Sequence, residues 1–360
     1  MTFPKRLTDL LGIDLPIIQA PMAGAATPEL AAAVCNAGGM GSLGVAMMTA
    51  AQLRENVGKL RAQTNKPFNL NYFVHEEPKL DGFDAAPMRD ALAKHYEKFG
   101  LGAVPAPASP APAFNDEALA LLLELSPKVA SFHFGLPSED AIRAIKARGI
   151  IVLGCATTTA EARALEHGGA DAIVAQGHEA GGHRGTFLDH VDLGTVGTMA
   201  LVPQVTDAVK VPVIAAGGIG DARGIAAAFM LGADAVQLGT AYLMCPETQM
   251  HPLHRKALAE LSDHGTVVTK LFSGRPARAI RNRFTEGLHA LEEKAAPFPA
   301  QRALAAPLIA ASGKAGRAEY MQMWSGQAAS LSIMEPAAEK TTRLMREAAE
   351  RLGKNQEISQ

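Results

Sequence analysis

About eight short apolar runs rich in β-formers alternate along this chain with stretches of helical length. The runs fall at residues 16–20, 40–43, 67–71, 129–132, 150–153, 172–174, 211–215 and 235–238. Strands that are apolar on both faces and separated by helices belong to a parallel sheet, because the crossover helices cover both of its sides. Eight such units favour closure into a (β/α)8 TIM barrel, whose reactive loops follow the C-terminal ends of the strands. An open doubly wound sheet is the alternative that the pattern leaves. Helix signals lie between the runs. Thr27-Pro28-Glu29 combines an N-cap, a first-turn proline and an acid. Residues 52–62 read as helical, Thr158-Thr159-Ala160-Glu161 has capping-box spacing, and Asp221 is placed to cap residues 222–231.

Two stretches break the rhythm. Residues 78–127 contain Val104-Pro105-Ala106-Pro107-Ala108-Ser109-Pro110-Ala111-Pro112, a stiff exposed loop, and residues 244–310 follow the last strand as a helical and mixed segment. The second stretch, with part of the first, is expected to cap the barrel mouth, and residues 334–352 read as a terminal amphipathic helix. At 360 residues, the chain suits one large barrel with an insertion, or two domains. A net charge of −2 without a basic stripe argues against a nucleic-acid partner. Cys35, Cys155 and Cys245 are odd in number and widely spaced, which fits a reducing compartment. The N-terminus lacks the apolar core of a signal peptide, and no apolar run reaches the roughly 18 residues that span a bilayer. The expectation is a soluble cytoplasmic protein, of unspecified oligomeric state, with no membrane partner.

The chemistry concentrates in Gln176-Gly177-His178-Glu179-Ala180-Gly181-Gly182-His183-Arg184-Gly185, directly after an apolar strand. Its glycines let the backbone approach a ligand, and its histidines exchange protons near neutral pH. His183 reads as an acid/base or ligand-orienting group, His178 as a weaker one, and His133 as a candidate to bind substrate from the end of its strand. Arg184 is either a surface charge or a partner for a substrate carboxylate. The zinc-protease pattern is not met, since His178 and His183 are one residue too far apart and Gly-Gly would break the helix; no metal is expected. Gly39-Met40-Gly41-Ser42-Leu43-Gly44 matches a dinucleotide string, but it follows a helix instead of a strand. Ala215-Ala216-Gly217-Gly218-Ile219-Gly220 and Gln237-Leu238-Gly239-Thr240 end the last two strands, where barrel enzymes cradle phosphate. Asn69 and Asn71 share one side of a strand, and Asn71 is nearer its end.

Together with Pro16-Ile17-Ile18-Gln19-Ala20-Pro21-Met22-Ala23-Gly24, these motifs resemble the nitronate monooxygenase (2-nitropropane dioxygenase) family, in the class that carries a catalytic histidine. The resemblance runs from about residue 7 to 330, and the stretch from Gln176 to Gly185 is its most specific part. One departure is Ala25-Ala26, where many relatives have Gly or Val and then Ser. The resemblance implies a TIM barrel with a smaller cap and one non-covalent FMN. Residues 7–75, 128–243 and 311–335 would form the FMN-binding barrel, residues 76–127 and 244–310 the cap, and residues 336–360 a C-terminal helix and tail. FMN would contact Met22, Asn71, Gln176, Gly181, Gly218, Gln237, Leu238, Gly239 and Thr240, and His183 would be catalytic. The implied reaction oxidises alkyl nitronates such as propionate 3-nitronate with O2 to a carbonyl compound and nitrite, by one-electron flavin chemistry without NAD(P)H. The alternatives are an NAD(P)H-dependent FMN enoyl or quinone reductase and a flavin-binding module without turnover.

Overall fold

In the computed structural model the described residues are 3–110, 112–188 and 194–357. Ala111 of the proline-rich stretch and residues 358–360 of the expected tail lie outside them. The strands are β1 (Ile17–Gln19), β2 (Gly41–Gly44), β3 (Phe68–Phe73), β4 (Val129–His133), β5 (Ile151–Ala156), β6 (Ala172–Gln176), β7 (Gly182–His183), β8 (Val213–Ala216), β9 (Ala235–Leu238), β10 (Thr266–Thr269) and β11 (Ala277–Ile280). Eight of them form one all-parallel sheet in the order β1-β9-β8-β6-β5-β4-β3-β2. A parallel bridge between Ile18 and Met40 joins β2 back to β1. The sheet therefore closes into a (β/α)8 TIM barrel, which excludes the doubly wound alternative.

Alternation along each strand sorts side chains into two layers. In β6, Ala172 and Val174 pack inside the barrel with Ile18, Leu153 and Ile214, while Ile173 and Ala175 pack outward against the helices. Leu7 and Leu11 of helix Arg6–Leu11 join the interior cluster beside Val129, Ile151 and Ala235, the first residues of their strands. That helix thus closes the N-terminal end of the barrel and leaves the C-terminal end as the open one.

Thr27 caps Pro28–Asn36 through the Leu30 N–H, and Asp221 caps Ala222–Met230 through the N–H groups of Arg223 and Gly224. The helix expected at 52–62 begins earlier, at Ala50, because Thr49 and Gln52 make a full capping box. The Thr158–Glu161 pattern makes only half a box. Thr158 accepts the Glu161 N–H, but the fully buried Glu161 carboxylate takes N–H bonds from Thr157 and Phe187 instead.

Helix Asp116–Leu125 packs Leu122 and Leu125 against Leu53 and Val57 of the barrel layer. Helix Ala337–Glu357 lies on Ala222–Met230 and Pro28–Asn36, with Leu344, Met345 and Ala348 in their shared core. A separate core joins Met88, Leu92 and Tyr96 of Ala86–Lys98 to Phe272, Phe284 and Leu304. The segment after β9 also holds an antiparallel hairpin, β10–β11, whose second strand pairs with β7. Only a helical and mixed segment is expected here from the sequence, and the hairpin is a feature that this expectation misses.

The string at Gly39–Gly44 has a packing explanation. A Cβ on Gly41 would lie 2.1 Å from the Ala31 carbonyl oxygen, and one on Gly44 would lie 2.9 Å from the Ala23 nitrogen. Helix and loop backbones press on this strand directly. Gly41→Ala should therefore lower stability in urea melts by about 3 kcal/mol, the upper end of overpacking costs. Gly58→Ala, with nothing near an added Cβ in an exposed helix, should raise it by about 0.5–1 kcal/mol.

Candidate active site

A cavity of about 540 Å³ opens over the C-terminal ends of the barrel strands. Met22 and Ala25 line it from the loop after β1, Asn71 and Phe73 from β3, and His133 from β4. Gln176, Gly181 and His183 contribute from the region after β6, Gly217 and Gly218 from the loop after β8, and Gln237, Gly239 and Thr240 from β9 and its loop. Of the residues expected to contact FMN, Leu238 is the one that stays away from the cavity. Its side chain packs in the outer core and its carbonyl accepts the Ala20 N–H at 2.9 Å.

The glycine-rich run after β6 is held far more firmly than a loop of glycines would be. Gly182 and His183 form β7, in antiparallel register with Arg278 and Ala277. The His183 carbonyl accepts from Gln176 Nε2 at 3.0 Å and from His133 Nε2 at 3.2 Å. Gln176 Oε1 accepts the Gly185 N–H at 2.9 Å. Arg184 is neither a surface charge nor a substrate partner. It is 1% exposed, and its guanidinium donates to the carbonyls of Gly177, Gln176 and Gly194 at 2.7, 3.0 and 2.9 Å. His178 does not line the cavity, and its carbonyl receives the Arg278 guanidinium at 3.0 and 3.2 Å. Glu179 anchors the same run by accepting the Thr198 N–H and hydroxyl.

Aromatic rings wall the His183 imidazole. The centroids of Phe298 and Trp324 lie 5.4 and 5.3 Å from it, and those of Phe73 and Phe134 each lie 5.9 Å from it. Phe134 holds a left-handed φ of 73°, unusual for a non-glycine residue, under the Arg275 guanidinium stacked 4.0 Å above its ring. His183 Nε2 lies 2.9 Å from Ser273 Oγ, and that hydroxyl donates to the Arg275 carbonyl at 3.4 Å. Loss of hydration, reinforced by His133, Arg275 and Arg302, pushes the His183 pKa down to about 3. Burial likewise takes His133 to about 4. Ser273, Phe298 and Arg302 have no signal in the sequence. Trp324 is marked in the sequence only as the sole tryptophan.

A closed parallel barrel with such a cavity at its C-terminal rim, glycine-lined after its last two strands, defines a TIM-barrel enzyme. Residues 4–347 match the family model described as nitronate monooxygenase. The chain is 46% identical over 356 residues to the nitronate monooxygenase of Paraburkholderia phytofirmans, covering 96% of this chain and 95% of that protein. It is 42% identical over 349 residues to that of Pseudomonas aeruginosa, covering 95% and 98%. The solved structure of nitroalkane oxidase from Streptomyces ansochromogenes superposes with a TM-score of 0.86 at 39% identity, covering 96% of this chain and 99% of that one. The chain belongs to the nitronate monooxygenase family and is an oxidoreductase.

The histidines pushed furthest below their ordinary value make stability depend on pH. His254, held by the Trp324 carbonyl, also falls to about 4 through burial. Between about pH 4 and 6.5 the unfolded chain binds protons that the folded one refuses, so stability is lost as pH falls through that window. The Tm should drop from pH 7 to 4.5, and His254→Gln should flatten the slope. A Tm that stayed constant across the range would contradict the assigned burial.

Proposed function

We propose that this enzyme oxidises alkyl nitronates, propionate 3-nitronate among them, with O2 to a carbonyl compound and nitrite, using FMN and no NAD(P)H. The observation that carries the proposal is a ring-walled histidine that lines the same cavity as the glycine loops after β8 and β9. Three unpaired, buried cysteines accord with a cytoplasmic setting.

The cavity suits FMN. An added Cβ would meet nothing within 4 Å at Gly182, and only Ala20 Cβ at 3.6 Å at Gly239, so both positions leave room for a ligand. Gly217 and Gly218 have φ of +102° and +68°, a conformation in which bare backbone N–H groups can surround an anion. Gly218, Gly239 and Thr240 would hold the phosphate. Met22, Gly181 and Gln237 would contact the ring. Asn71 Nδ2 is occupied by Ser131 at 2.9 and 3.2 Å, which reserves Oδ1 for a ring N–H. Gln176 would support the ring edge while its amide holds the His183 strand. Leu238 would act through its backbone alone. His133 would steady the same strand in addition to facing substrate. Residues 244–310, with the part of 76–127 before helix Asp116–Leu125, would cover the site as a cap, while that helix and the C-terminal helix complete the barrel layer. When bound, FMN supplies the electron transfer that oxidises the nitronate, with O2 as the final oxidant.

The protein's part is protonic and electrostatic. With Ser273 donating to the Arg275 carbonyl, its oxygen accepts from His183 Nε2–H. His183 Nδ1 then carries the lone pair. Being far below its ordinary pKa, the imidazole stays neutral at pH 7 and leaves a nitronate anion unprotonated. For a neutral nitroalkane, the same Nδ1 is the group able to take the α-proton. That transfer is uphill for so weak a base, which favours the ready-made nitronate.

Purified protein should be yellow, and should consume O2 and release nitrite when given propionate 3-nitronate. Colourless protein that takes up no FMN on titration, or flavin bleached rapidly by NADH or NADPH under anaerobic conditions, would overturn the proposal. His183→Asn should keep FMN but lose roughly 100-fold or more of kcat/KM on neutral nitroalkanes. Because the imidazole is already neutral above about pH 3, nitronate turnover in the parent enzyme should show no enzyme ionisation near pH 6.5.

A further inference from the structure

The cavity is electrostatically one-sided. Among its described lining residues there is no Asp or Glu, and Arg302 is the sole permanently charged side chain. Arg302 stands on the cap helix Gln301–Lys314, one turn beyond Phe298, whose ring packs against His183. One of its guanidinium nitrogens donates to Gln322 Oε1 at 3.1 Å, and among the described residues no carboxylate pairs with it. Its charge reaches the His183 imidazole. A cation drawn partly out of water without a counter-charge is costly, and an anion entering the cavity removes that cost. The planar fork of a guanidinium matches an anion that offers two coplanar oxygens. The glycine loops after β8 and β9 lie on the barrel side, whereas Arg302 belongs to the cap side, near the proton-transfer group.

We propose that Arg302 is the specificity-determining residue of the site: it pairs with the two oxygens of the nitronate group and makes the cavity select the anion over the neutral nitroalkane. This rests on the nitronate reading above and adds to it the residue that recognises the charge. Gln322 positions the guanidinium, leaving its remaining N–H groups to the ligand.

The test uses FMN-loaded parent, Arg302→Met and Arg302→Lys. Four quantities are measured: KM and kcat for ethyl nitronate, and the binding of nitrate and of neutral nitroethane, the last two followed by Trp324 fluorescence. Nitrate is an unreactive planar oxyanion, and Trp324 is the single tryptophan and lines the cavity. In Arg302→Met, the nitronate KM and the nitrate Kd should both rise roughly 10- to 100-fold, as expected for loss of a hydrogen bond to a charged group. KM should rise by more than kcat falls, nitroethane binding should hardly change, and Arg302→Lys should recover part of the loss. FMN affinity should be retained. Unchanged nitrate binding, equal weakening of nitrate and nitroethane, or release of FMN by the Met variant would each overturn the assignment. If the parent failed to turn over ethyl nitronate, the reading of function would fall, and nitrate titration would still decide whether Arg302 is the anion site.

Discussion

The two-residue strand Gly182–His183 is the interaction on which the site depends. A glycine-rich segment after a barrel strand has many conformations open to it. Pairing with Arg278 and Ala277 removes most of them, and it ties the barrel to the segment beyond β9 through backbone hydrogen bonds. Gln176 and His133 then converge on the His183 carbonyl, and Arg184 collects three further carbonyls from the same region. The imidazole is consequently fixed by its own backbone, with its ring free to be surrounded by Phe73, Phe134, Phe298 and Trp324.

That enclosure sets the chemistry. Rings in place of water leave the imidazole uncharged, and neighbouring guanidinium groups act in the same direction. A histidine in this state neither competes with an anion for protons nor offers it a counter-charge. The permanent charge among the described residues lining the cavity is Arg302, on the helix Gln301–Lys314. Barrel and late segment thus share the site: the barrel contributes Phe73, His133 and the glycine loops, and the segment beyond β9 contributes Phe298, Trp324, the Ser273 hydroxyl and Arg302.

Much of the barrel was legible because its signals are local. Thr27 and Asp221 cap the helices expected of them, since an N-cap needs only its next three residues. Strand positions followed from apolar runs flanked by turn residues. The failures are non-local. Glu161 has the spacing of a capping box but serves Phe187, 26 positions away. Arg184 sits in a loop of small polar residues, and only the folded chain shows it sealed beneath them. The glycines of residues 39–44 imitate a nucleotide fingerprint because close helix–strand packing and close cofactor approach both require a missing Cβ.

The sequence by itself determined the alternation of strands and helices, and with it a parallel barrel whose loops gather at one end. It also marked the glycine-flanked His183 as the residue to watch, because periodicity, capping and glycine content are properties of neighbours along the chain. Tertiary structure decided which distant residues complete that histidine's surroundings. Ser273, Arg275, Phe298, Arg302 and Trp324 all come from the segment beyond β9, about 90 to 140 positions after His183. Their positions depend on a hairpin register and a separate apolar core, and neither leaves a periodic trace in the order of amino acids.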